Sequence, residues 1–140
     1  MRRALVVGVV LVVLSASAAS AVEAPTAKQL ARKAIAAGVC AGPVVAVDAR
    51  GVTRGCTVSF PDGSDITVEL HGYATKRAML KGLDRERIAE CEELADLGVR
   101  VESVAFTVGA TWFTNSFIDS VGVPLRRALG GTVREYRCPT

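Results

Sequence analysis

Apolar and polar positions along this chain follow two periods, and each change of period marks an element. Cys56, Val58 and Phe60 alternate with Thr57 and Ser59, and Ile66, Val68 and Leu70 alternate with Thr67 and Glu69. Pro61-Asp62-Gly63-Ser64 separates the two runs. Period-two patterns flanking a Pro-Asp-Gly turn predict an antiparallel hairpin with one buried and one wet face.

Elsewhere the period lengthens to that of a helix. Leu30, Ala31, Ala34 and Ile35 share one face, opposite Lys28, Arg32 and Lys33. Thr26 and Gln29 stand at capping-box spacing before them, and Gly38 supplies a left-handed stop after them. Between Ala74 and Leu97 the pattern predicts two helical pieces. The first carries Ala78, Met79 and Leu83 and is interrupted at Gly82. The second is capped by Asp84, carries Ile88, Cys91, Leu94 and Ala95, and stops at Gly98. Glu86, Glu90, Glu92 and Glu93 then read as a solvated helix face. A last short helix holds Val121, Leu125, Ala128 and Leu129 and starts near Asp119, or at Pro124 if that proline takes the first turn.

The remaining runs read as strands. Val44 to Val47 is β-branched and too short for a helix; Val99 to Val108 is a strand whose alternation slips near Glu102-Ser103. Gly109-Ala110 leads into Thr111-Trp112-Phe113-Thr114 as a second hairpin, and Thr132 to Tyr136 adds a final strand. One-sided strands beside amphipathic helices predict an α+β fold: a mostly antiparallel sheet of about five strands, with two or three helices packed on one face.

The N-terminus departs from this patterning. Met1-Arg2-Arg3 precedes an apolar run from Ala4 to Leu14, and Ala19-Ser20-Ala21 has the small-x-small form of a cleavage site. An apolar run of about 11 residues is far short of the roughly 20 that span a bilayer. Residues 1–21 therefore read as a cleaved signal peptide, and residues 22–140 as a single exported domain. The whole chain carries 17 Lys plus Arg against 14 Asp plus Glu. Losing Arg2 and Arg3 leaves the mature chain close to neutral, so neither nucleic acid nor an acidic membrane surface is expected as a partner.

All four cysteines, Cys40, Cys56, Cys91 and Cys138, lie in the exported part. An even count in a small exported domain predicts two disulfides, and four cysteines admit three pairings. A metal site lacks ligands, with no CxxC and one histidine, and no cofactor is expected. That histidine, His71, reads as an exposed strand-end residue without the nucleophile a general base would serve. Asp48, Asp62 and Asp65 read as turn residues. The remaining candidates for contact with a ligand are Trp112, Phe113 and Tyr73. Adjacent strand residues point to opposite faces, so either one of Trp112 and Phe113 is exposed or another segment covers it.

Taken in order, Gly38-Val39-Cys40, Gly55-Cys56-Thr57-Val58, the strand Ile66 to Leu70, a helix with Arg77, Val108-Gly109-Ala110-Thr111-Trp112-Phe113 and Leu129-Gly130-Gly131 form a series. It resembles a family of small exported or lipid-anchored actinobacterial domains whose role is unassigned, over most of Thr26 to Val133. The Arg-heavy basic composition agrees with a GC-rich bacterial source. The chain departs from that pattern in lacking a lipid-acceptor cysteine and in its extra stretch from Asp84 to Gly98. The resemblance implies that Cys40 pairs with Cys56, which leaves Cys91 for Cys138. The expected function is a non-enzymatic secreted or envelope domain binding an extracellular protein or small ligand. The alternative is an inhibitor of an extracellular hydrolase, presenting Arg50 and Arg54 from the segment Asp48 to Gly55.

Overall fold

The computed structural model describes residues 23–49 and 51–140, so the signal peptide expected over residues 1–21 and the Arg50 of the expected inhibitory segment lie outside the described residues. The elements are α1 (Ala27–Ala36), β1 (Ala41–Ala46), β2 (Thr53–Ser59), β3 (Asp65–Gly72), α2 (Lys76–Asp96), β4 (Ser103–Val108), β5 (Trp112–Asn115), α3 (Asp119–Leu129) and β6 (Thr132–Arg137). The fold is α+β, with six strands rather than about five, in the order β1-β2-β3-β5-β4-β6, every neighbouring pair antiparallel.

Local chemistry accounts for most boundaries. The Thr26 amide donates to Gln29 Oε1 at 2.8 Å and the Gln29 amide donates to Thr26 Oγ1 at 3.2 Å, the reciprocal pair of a capping box. In the β2–β3 turn, Gly63 has φ +85°, and Phe60 N–H donates to the Ser64 carbonyl at 2.8 Å. Three boundaries differ from the pattern. α2 is one continuous helix through Gly82 rather than two pieces, because Gly82 is buried where the Tyr73 ring packs and a Cβ there would run into it. α3 starts at Asp119 with Pro124 inside it, not at its first turn. β4 covers only Ser103–Val108, and Val99 to Glu102 lies outside any strand.

Register separates two cores. Gly72 pairs with Trp112 and His71 with Phe113, so the adjacent aromatics enter opposite sides of the sheet. Val68, Leu70 and Trp112 pack with Leu30, Ala31 and Ala34 of α1 and Val121 and Leu125 of α3. Phe113, Phe106, Val104 and Val108 pack with Met79, Leu83 and Cys91 of α2. Two helices thus share one face, as expected, while α2 covers the other.

Connectivity explains the split. β3 and β4 both run antiparallel to β5, so they are parallel to each other and α2 is their crossover. By the same reasoning α3 is the crossover from β5 to the parallel β6. Both crossovers step in the same lateral direction but start from antiparallel strands. Connections of one hand must then lie on opposite faces, and such connections are right-handed almost without exception.

The disulfides are Cys40–Cys56 and Cys91–Cys138, each with Cα atoms 5.7 Å apart. Each belongs to one core. The first fastens the segment after α1 to β2; the second ties α2 to the tail after β6. Loop closure over separations of 16 and 47 residues stabilises by about 3 and about 4 kcal/mol respectively in the chain-entropy picture. Among the described residues no helix is long and apolar enough to cross a membrane.

Candidate binding groove

α2 packs on β4 and β5, and it leaves the β1–β3 half of its face open. Val45 and Val47 are exposed there, beside Thr67 and the half-buried Glu69. Between this open half and the flank of α2 run two cavities that meet at Glu69 and Glu86. One, about 420 Å³, is lined by Glu69, Glu86, Glu90, Glu93, Leu94 and Phe117 among others. The second, about 530 Å³, is walled by Asp48, Thr53, Glu69, His71, Tyr73 and Arg85, with Glu86 shared.

The carboxylates here are not freely solvated. Burial pushes the Glu69, Glu86 and Glu90 carboxyls above their ordinary range; the neighbouring charges of Glu86 and Glu93 add to the effect. Asn115 Nδ2 donates to Glu90 Oε2 at 2.8 Å. Of the four glutamates expected on a wet helix face, Glu86 and Glu90 are half-buried against the groove, and Glu92 and Glu93 are exposed.

The charges of α2 also run against its own dipole. Lys76 and Arg77 stand at its N-terminus, where the helix end is already positive, and Glu93 and Asp96 fall in its last turn, where it is negative. No acidic residue occupies the first turn and no basic residue the last. Each such misplaced charge costs about 0.3–1 kcal/mol at low salt. The result is a groove whose Leu97 end is strongly negative.

At the other end, His71 corrects the expectation of an exposed strand-end imidazole. It is 6% exposed and stacks on Phe113, with ring centroids 4.4 Å apart and planes 8° from parallel. Burial pulls its pKa down to about 4, with the Asp48 charge working in the opposite direction. Its Nδ1 lies 3.0 Å from Thr53 Oγ1. Asp48 accepts from the Thr53 amide at 3.3 Å and from the Thr53 hydroxyl at 3.4 Å. The carboxylate can only accept, so the Thr53 hydroxyl donates its hydrogen bond to Asp48. Thr53 Oγ1 then accepts from His71 Nδ1–H, and Nε2 carries the lone pair. Nε2 is buried with no hydrogen-bond partner among the described residues.

Of the aromatic candidates, only Tyr73 borders the groove. Trp112 is 4% and Phe113 0% exposed, so both are covered. Tyr73 is half-buried and stacks on Phe113; burial raises its pKa, while the adjacent Arg85 pulls it down. Arg54 lies within β2, half-buried and donating to the Thr53 carbonyl at 3.0 Å, rather than on a projecting loop. The four cysteines are spent in the disulfides. Among the described residues no three His, Cys, Asp or Glu side chains converge on a metal-sized point.

The candidate groove thus brings together Asp48, which the sequence reads as a turn residue, Glu86 and Glu90, which it reads as a solvated helix face, and Thr53 and Glu69, which it does not single out. One signal for them was available: Glu86, Glu90 and Glu93 recur at i, i+4 and i+7 toward the wrong end of a helix. No protein family, curated protein or solved structure matches the chain.

Proposed function

We propose that the chain is an exported, non-enzymatic binding domain that holds a cationic segment of an extracellular partner protein between α2 and the open half of the sheet. The observation that carries this reading is the set of glutamates on α2, placed against the helix dipole and half-buried where they face the groove. Stability alone would not select that arrangement. A bound Lys or Arg chain offsets both costs at once. Its aliphatic stem fits the groove's Ala89, Leu94 and Phe117 while its charge meets Glu69, Glu86, Glu90 and Glu93. Export is supported by the leader-like residues 1–21 and by the two disulfides.

A binding role is preferred over catalysis because the hydroxyl nearest the imidazole is not an available nucleophile. Thr53 is 4% exposed, and its hydroxyl is held between Asp48 and His71. The test is calorimetric titration of the purified protein with tetralysine, tetra-arginine and tetraglutamate at low and physiological salt. Both basic peptides should bind, weakening as salt rises, and the acidic one should not. Failure of both basic peptides to bind, or equal binding of tetraglutamate, would sink the proposal.

A further inference from the structure

The charges of this chain nearly cancel in sum, but they are separated across the sheet. α1 and α3, which share one side, carry Lys28, Arg32, Lys33, Arg126 and Arg127 against the single acid Asp119. Lys28, Arg32 and Lys33 are exposed on the outer side of α1, opposite the buried Leu30, Ala31 and Ala34. On the other side of the sheet, the cavity of about 420 Å³ is lined by Glu69, Glu86, Glu90 and Glu93 and by no basic residue. Among the described residues the one ion pair is Arg87 with Asp84, so neither set is paired within its own chain. A near-zero net charge leaves no overall repulsion between copies to oppose contact between the two sets.

Resting on the groove reading above, we propose that the cationic segment is α1 of a second copy of this chain, laid along the groove with Lys28 and Arg32 against Glu90 and Glu86. The spacing matches. Lys28 and Arg32 stand four residues apart on one helix, as Glu86 and Glu90 do on another, a rise of about 6 Å in each. Running the two helices antiparallel sets the positive N-terminal end of α1 beside the negative Leu97 end of α2, so the dipoles add to the side-chain pairing. Lysine and arginine carry their charges on long stems, which enter the groove while the α1 backbone stays at its mouth. No acidic residue of α1 opposes the approach. The groove and α1 lie on opposite sides of the sheet, so two copies cannot fill both surfaces of each other. Contact is therefore head to tail, and an open chain of copies can grow.

The test is sedimentation velocity of the purified protein over rising concentration, at low and at physiological salt, beside calorimetric titration with tetralysine. At low salt the mean mass should climb past that of a dimer, and added salt should bring it back toward the monomer. Two double variants separate the surfaces: Lys28→Glu with Arg32→Glu on α1, and Glu86→Gln with Glu90→Gln in the groove. Each should be monomeric by itself, and an equimolar mixture of the two should form a heterodimer and nothing larger. The α1 variant should still bind tetralysine, and the groove variant should not. Lys28 and Arg32 are exposed, so their replacement leaves the core of α1 intact; the salt series on the unaltered protein stands without either variant. A wild type that stays monomeric at low salt yet binds tetralysine would overturn the second copy as partner while leaving the cationic groove intact. A dimer that does not grow with concentration, or an α1 variant that associates as the wild type does, overturns it equally. A protein that neither associates nor binds tetralysine overturns both readings.

Discussion

The burial of His71 makes the stability of this protein depend on pH in a direction that can be worked out in advance. The folded imidazole has its pKa lowered to about 4 against an ordinary 6.5. Between those values the unfolded chain takes up a proton that the folded chain refuses. Stability from this group is therefore complete above pH 6.5 and is lost as pH falls toward 4. At 1.36 kcal/mol per unit, the loss is about 2 kcal/mol by pH 5 and about 3 kcal/mol by pH 4. Glu69, Glu86 and Glu90 act with the opposite sign. Their folded pKa values are raised, so their unfavourable contribution at neutral pH is relieved as they protonate. Comparison with His71→Phe removes the carboxylate part, which both proteins share. Urea unfolding of each at pH 7, 6 and 5 should show the wild type losing about 2 kcal/mol more than the variant between pH 7 and 5. Proton NMR of the single imidazole should give a midpoint near 4. Parallel pH profiles for the two proteins, or an imidazole midpoint above 6, would refute the buried, neutral assignment.

Two further outcomes follow from the groove and its wall. Glu86→Gln removes one partner of the like-charge i, i+4 pair with Glu90, so the unliganded protein should gain about 0.2–0.5 kcal/mol at pH 7. The same variant should bind tetralysine more weakly in calorimetry; a variant both less stable at pH 7 and unchanged in binding would count against the groove. Gly82→Ala forces a methyl group into the Tyr73 ring, and such overpacking costs about 1–3 kcal/mol, more than the roughly 1 kcal/mol of helix propensity that alanine returns. Thermal unfolding should show a lower Tm for Gly82→Ala alone and a higher one when Tyr73→Ala is already present, and stabilisation by the single change would refute the contact.

How much of this could be read before any coordinates depends on the range of each interaction. The capping box at Thr26, the stops at Gly38 and Gly98, and the hairpin across Pro61-Asp62-Gly63-Ser64 are set by residues within a few positions of each other, and all of them stand as the pattern predicts. Alternation likewise placed Trp112 and Phe113 on opposite faces, because the strand period is two regardless of what lies above it. The cysteine count predicted two disulfides without choosing among three pairings, and the expected pairing of Cys40 with Cys56 and Cys91 with Cys138 is the one the fold adopts.

Tertiary structure decided what covers each face. β5 inserts between β3 and β4, a pairing of distant segments that no local pattern encodes, and that insertion turns α2 and α3 into crossovers on opposite sides. With α2 over Phe113, the wet side of β3 becomes partly an interior: His71, which shares its alternation with Thr67 and Glu69, is sealed at one end while Thr67 stays exposed at the other. Gly82 reads as a helix break in isolation because its missing side chain lowers helix propensity. In the folded protein that same absence admits the Tyr73 ring, and the helix continues past it. The groove has the same origin: its glutamates are visible in the sequence as a helix face, but they become a site only because the sheet stops short of being covered.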